Sequence, residues 1–120
     1  MYKRQTPAYV AAQQGHLAAL ELLVKAGCDV NQANHDGVTP ALVAALNDQT
    51  AALKRLVKAG CDVNQAAKDG STPAWVAAQE GQTAALDILV EAGCDVNQAA
   101  NNGVTPAYVC LLYTSDAADE

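Results

Sequence analysis

The sequence contains no phenylalanine, one tryptophan and four tyrosines, although 51% of its 120 residues are hydrophobic. Alanine supplies much of that fraction. Side chains this small cannot fill a broad globular centre, but they suit helices packed closely side by side. Basic residues are also scarce. Seven Lys and Arg stand against thirteen Asp and Glu, for a net charge of −6. That balance argues against sequence-independent binding to nucleic acid or to an anionic membrane, since both draw on clusters of Lys and Arg. No apolar run approaches the ~18 residues of a membrane span. Met1-Tyr2-Lys3-Arg4-Gln5 lacks the apolar stretch of a signal peptide. The resulting expectation is an intracellular, cytoplasmic chain.

What the sequence does have is a period. Thr6-Pro7-Ala8 returns as Thr39-Pro40-Ala41, Thr72-Pro73-Ala74 and Thr105-Pro106-Ala107, every 33 residues. Gly27-Cys28-Asp29-Val30-Asn31-Gln32 returns from Gly60 to Gln65 and from Gly93 to Gln98. A fixed period of this size marks a repeat architecture. Stacked like units offer a long surface in place of a catalytic pocket.

Within Asn34 to Ala66, Thr39 is suited to cap a helix, and Pro40 to its first position. A first helix is predicted from Pro40 to about Asn47. Asp48 occupies the place of Gly15 and Gly81, a turn position favouring positive φ. A second helix is predicted from about Thr50 to Ala59, with Ala52, Leu53, Leu56 and Val57 at helical spacing. Gly60 ends it, and a stretch rich in Asp, Asn and Gly turns back to the next Thr-Pro. Neither helix can bury its apolar face alone, so neighbouring units must cover it.

These residues resemble the ankyrin repeat. The match is carried by Asp36-Gly37-Val38-Thr39-Pro40-Ala41-Leu42-Val43-Ala44-Ala45, by Asp69 to Ala78, and by Gly15-His16. The resemblance covers Thr6 to Val109 and implies an all-α solenoid of helix-turn-helix units joined by extended, hairpin-like loops. Repeat 1 is expected over 6–33, repeat 2 over 34–66, repeat 3 over 67–99 and the start of repeat 4 over 100–109. The family's Leu-His after Thr-Pro is replaced by Ala8-Tyr9, Ala41-Leu42, Ala74-Trp75 and Ala107-Tyr108. A small residue followed by a large one keeps the summed volume, which cores tolerate best. The aromatic rings are therefore expected to fill the seam between units, and the family's His-mediated loop ties must be lost or replaced.

Both ends break register. Met1–Gln5 bears no likeness to Asn34-His35-Asp36-Gly37-Val38, and the match stops after Val109. Tyr2–Gln5 can be encoded by TAT-AAG-AGA-CAG, and Cys110–Ser115 by TGT-CTC-TTA-TAC-ACA-TCT. The two strings are reverse complements across their shared part. Both flanks resemble translated transposase-adapter sequence, so residues 1–5 and 110–120 are read as a non-native leader and tail around a fragment of a longer array.

Cys28, Cys61 and Cys94 recur one unit apart. Equivalent residues of stacked units lie roughly 8–10 Å apart, too far for a disulfide, and zinc sites usually need closer Cys pairs. A structural role for a small, partly buried residue is expected, with no metal and no cofactor. His16 falls on the structural Gly-His turn, and His35 at a loop tip. Asp29, Asp62 and Asp95 are expected to bond to their own turns. Asn31, Asn64 and Asn97 resemble, by their setting, sites of asparaginyl hydroxylation in animal ankyrin proteins. Their plainer reading is an Asn that closes the turn. No catalytic constellation is found.

Positions that vary against the fixed background mark a candidate contact surface. On the loops these are His35, Asp36 and Val38; Lys68, Asp69 and Ser71; and Asn101, Asn102 and Val104. At the ends of the first helices they are Gln13 and Gln14; Leu46 and Asn47; and Gln79 and Glu80. The resemblance implies that loops and first helices line a concave, protein-binding side. The expected function is a non-catalytic protein–protein interaction module with a protein partner. The alternative is a regulatory or targeting segment of a larger enzyme.

Overall fold

The computed structural model describes residues 6–98 and Gly103. The termini and the expected start of repeat 4, Gly103 apart, lie outside the described residues. Six helices follow in order: α1 (Pro7–Gln14), α2 (Leu17–Lys25), α3 (Pro40–Leu46), α4 (Thr50–Lys58), α5 (Pro73–Gln79) and α6 (Thr83–Glu91). Among the described residues there is no strand. The two helices expected in the middle unit each end one residue early, at Leu46 and Lys58.

Each first helix starts the same way. The Thr6, Thr39 and Thr72 hydroxyls accept the backbone N–H of Tyr9, Leu42 and Trp75 at 3.1, 3.2 and 3.1 Å. Pro follows at once, where a missing N–H costs nothing. All six described helices also end the same way, on a left-handed residue whose successor's N–H reaches back to a carbonyl in the last turn. In α4, Gly60 N–H donates to the Val57 carbonyl and Cys61 N–H to that of Leu56. In α3 the left-handed residue is Asp48, at φ 56°, as its place in the period requires. Gly15 at the end of α1 takes the same left-handed turn at φ 73°, beside the flexible Gln49 carboxamide of the next unit.

The units stack in two layers. α1, α3 and α5 pack side by side in one row, and α2, α4 and α6 in the other. Ala8, Ala41 and Ala74 are buried at the centre, where their size lets the first helices approach closely. The pattern of burial shows which neighbour covers which residue. Tyr9 and Leu42 are buried, whereas Trp75, in the last described unit, is half-buried. Leu20 and Leu53 are fully buried and Leu86 is not. Both positions are thus closed by the unit that follows, and the large side chains after Ala do sit in the seam. Conversely, Leu56 and Leu89 are fully buried and Leu23 is not, so that position is closed by the unit that precedes it.

The left-handed region costs a residue with a side chain about 1–2 kcal/mol. Glycine's greater freedom in the unfolded chain offsets about 0.4–1 kcal/mol of that. Asp48→Gly should therefore stabilise the chain by roughly 0.5–1 kcal/mol in urea denaturation. A midpoint that stays put or falls would contradict this account of the turn.

Candidate protein-interaction surface

The loop tips are tight hairpins. In the first, Asn34 N–H donates to the Val38 carbonyl and Gly37 N–H to that of Asn34, at 2.9 and 3.0 Å. The Asn34 carboxamide oxygen accepts the N–H groups of both Asp36 and Val38, each at 2.9 Å. In the second tip Ala67 replaces Asn34. Ala67 N–H still donates to the Ser71 carbonyl at 2.8 Å, while Asp69 Oδ1 accepts the Ser71 N–H at 2.9 Å. That backbone bond, and then the Ser71 hydroxyl, hold the Asp69 carboxyl below its ordinary pKa.

The two tips are tied together. Lys68 N–H donates to the Asp36 carbonyl at 3.0 Å. This needs a close approach, and Gly37 allows it: a Cβ at Gly37 would lie 3.0 Å from Lys68 N and 3.2 Å from Ala67 Cα. His35, Asp36, Lys68 and Asp69 are exposed along this row, and Val38 is half-buried against the core. Ser71 is buried at 7% exposure, with its hydroxyl bonded to Asp69 of the same hairpin. It is variable in type but turned inward by the hairpin. Asn101, Asn102 and Val104 lie outside the described residues.

A second row forms at the ends of the first helices. Gln14, Leu46, Asn47, Gln79 and Glu80 are exposed there and Gln13 is half-buried. This row too is bonded across units. The Gln49 carboxamide donates to the Gln13 carbonyl at 3.3 Å, and Asn47 Nδ2 reaches the same oxygen at 3.4 Å. One unit on, Gln82 donates to the Leu46 carbonyl at 3.1 Å. The carbonyls of candidate contact residues are thus partly taken up by the scaffold, while the Leu46 side chain stays outside.

A third set of ties was missed in the sequence. Asp29, Asp62 and Asp95 close their own turns, accepting the N–H groups of Asn31, Asn64 and Asn97 at 2.9, 3.0 and 2.9 Å. The Asn31 and Asn64 side chains reach across to the next unit. Asn31 Oδ1 accepts the Asp62 N–H at 2.6 Å, and Asn64 Oδ1 accepts that of Asp95 at 2.7 Å. Gln65 adds a bond to the Asn31 carbonyl at 3.1 Å. The signal was the invariance of Asp-Val-Asn-Gln, since a side chain needed only by its own turn has less reason to recur with a fixed neighbour. Together with the Lys68–Asp36 bond, these ties link adjacent loops without a His after Thr-Pro.

Cys28, Cys61 and Cys94 are free, half-buried thiols. Each directly follows the left-handed residue that ends a second helix and donates its N–H to a Leu carbonyl of the last turn. An apolar contact accompanies this helix ending, which suits a small thiol. Burial, followed by the neighbouring Asp62 charge, pushes the Cys61 thiol from 9.0 up to about 11. Burial and then Asp95 raise that of Cys94 as well. Among the described residues no group of three or more His, Cys, Asp and Glu could hold a metal ion. Nor is any helix long and apolar enough to cross a membrane.

Because the thiolate is the reactive form, Cys61 should react with a disulfide reagent at pH 8 roughly 100-fold more slowly than a free thiol of pKa 9.0. The raised value also sets a pH dependence. The contribution of Cys61 to stability is full below pH 9.0 and is lost as pH rises through about 11. Fast labelling of Cys61 in the folded chain, followed by peptide mapping, would contradict its burial.

No curated protein matches the chain. A family model, ankyrin repeats (3 copies), matches residues 2–67 and again residues 42–119. The overlapping spans agree with the geometry: Thr-Pro caps, paired helices and left-handed helix ends, each returning after 33 residues. By both its sequence and its repeating geometry, the chain belongs to the ankyrin repeat family.

Proposed function

We propose that this chain is a non-catalytic protein-interaction module whose contact residues are the loop tips and the ends of the first helices. Ankyrin repeats are in general protein–protein interaction modules. The observation that carries the finer reading is the pairing of variable side chains with a fixed, cross-bonded backbone. His35, Asp36, Lys68 and Asp69 ride on two hairpins joined by the Lys68–Asp36 bond. Leu46, Asn47, Gln79 and Glu80 ride on helix ends joined through Gln82. A surface held this way loses little conformational freedom on binding, which favours affinity. Leu46 supplies an exposed apolar side chain among polar neighbours, and Lys68 beside Asp69 gives mixed charge. That chemistry suits a protein surface with both polar and apolar contacts.

The test is affinity capture with the full chain and with the double variant Leu46→Ala, Lys68→Ala, followed by titration of the captured protein. Affinity should fall about tenfold or more, the loss of one or two good contacts, while the melting temperature stays within about 2 °C. A control variant on the second-helix row, Lys54→Ala, should bind like the parent. Equal affinity for the parent and the double variant would place the site elsewhere.

A further inference from the structure

Two loop tips carry the same Asp-Gly step, Asp36-Gly37 and Asp69-Gly70. Their backbones match closely. Gly37 and Gly70 are left-handed at φ 81° and 85°, and their N–H groups donate to the Asn34 and Ala67 carbonyls at 3.0 and 2.9 Å. Both aspartates are exposed. What differs is the partner of one N–H, that of the residue after the glycine. In the third unit Ser71 N–H donates to Asp69 Oδ1 at 2.9 Å. In the second unit the equivalent Val38 N–H goes to Asn34 Oδ1, also at 2.9 Å. One replacement accounts for the change. Ala67 has no carboxamide to take the Ser71 N–H, so the aspartate takes it.

An Asp followed by Gly is open to attack on its own side chain, because no Cβ shields the glycine nitrogen. That nitrogen adds to the side-chain carboxyl carbon. A C–N bond forms, and the amide hydrogen and the carboxyl hydroxyl leave together as water. The product is a cyclic imide. Water then adds to one of its two carbonyl carbons, and the C–N bond at that carbon breaks. Opening at the side-chain carbon restores Asp. Opening at the main-chain carbon leaves the chain running through the side chain, an isoaspartyl linkage with a free α-carboxylate. Nothing is oxidised or reduced, and water is the only co-reactant.

The carboxyl must be able to turn toward the glycine nitrogen, and it must carry the proton that leaves with its hydroxyl. At Asp69 the Ser71 bond works against both. It anchors one carboxylate oxygen and favours the ionised form. At Asp36 the N–H that could do the same is held by Asn34. We infer that Asp36 is a site of spontaneous isoaspartate formation in the folded chain, a modification from which the Ser71 N–H protects Asp69. The change strikes a tie between units, since the Asp36 carbonyl that accepts the Lys68 N–H is the group that becomes the free carboxylate.

The experiment holds the full chain folded at neutral pH in heavy-oxygen water and follows the peptides covering each tip by chromatography and mass spectrometry. Isoaspartyl peptides separate from their parents, and the label marks passage through the imide. Asp36 should convert at least about tenfold faster than Asp69, the factor expected of one hydrogen bond to a charged group. In the chain unfolded by urea the two rates should converge. Two variants exchange the tips. Asn34→Ala releases the Val38 N–H to Asp36 and should slow conversion there about tenfold, while Ala67→Asn offers Ser71 a carboxamide and should speed conversion at Asp69 by a like factor. The second tip already keeps its hairpin with alanine at this place, through the Ala67 N–H bond to the Ser71 carbonyl. Equal rates in the folded chain, a gap that persists in urea, or conversion at Asp36 that is unchanged or faster in Asn34→Ala would overturn the inference.

Discussion

Contact between one unit and the next is the interaction on which everything else in this molecule depends. A helix pair of this length has no interior of its own, and isolated helices this short are marginal in water. Leu20, Leu53, Leu56 and Leu89 are removed from solvent only because a neighbouring pair stands against them. The alanines at 8, 41 and 74 set how closely the pairs stand. The Thr caps and left-handed helix ends then matter in a specific way. They fix the length and exit direction of each helix, so that equivalent faces meet at every junction.

The polar ties follow from the same constraint. Loops between stacked helices must pass near one another, and their backbone groups need partners. Here the Asn carboxamides of Asp-Val-Asn, the Gln49, Gln65 and Gln82 carboxamides, the Asn47 side chain and the Lys68 N–H at the loop tip supply them. The family pattern places a His after Thr-Pro for this purpose. This chain spends that position on Tyr9, Leu42 and Trp75, which go into the seam. The apolar volume thus moves inward, and the loop bonding shifts to residues already present in each unit.

Much of this could be read from the period, because periodicity reports directly on positions the stack constrains. Thr39 as a cap, Asp48 at positive φ and the structural place of the cysteines all came from comparing equivalent residues. The Asn31 and Gln49 ties did not. A bond that crosses from one unit to the next joins residues 31 to 36 positions apart, and reasoning within one unit cannot find its far end. Ser71 shows a related limit, since it varies between units and is nevertheless buried. Variation between units marks freedom of residue type, but a small hydroxyl is tolerated inside a hairpin as well as outside it.

Residue-resolved amide hydrogen exchange tests the dependence on neighbours most directly. If stacking holds the structure, α3 and α4, which pack against a helix pair on each side, should be protected far beyond what an isolated helix pair sustains, and Leu56→Ala in α4 should lower protection in α1 and α2 as well as in its own unit. The Asp62 and Lys68 amides, bonded across units, should exchange with the helices and not with the exposed loops. A loss of protection confined to α3 and α4, with the flanking pair unchanged, would contradict the account.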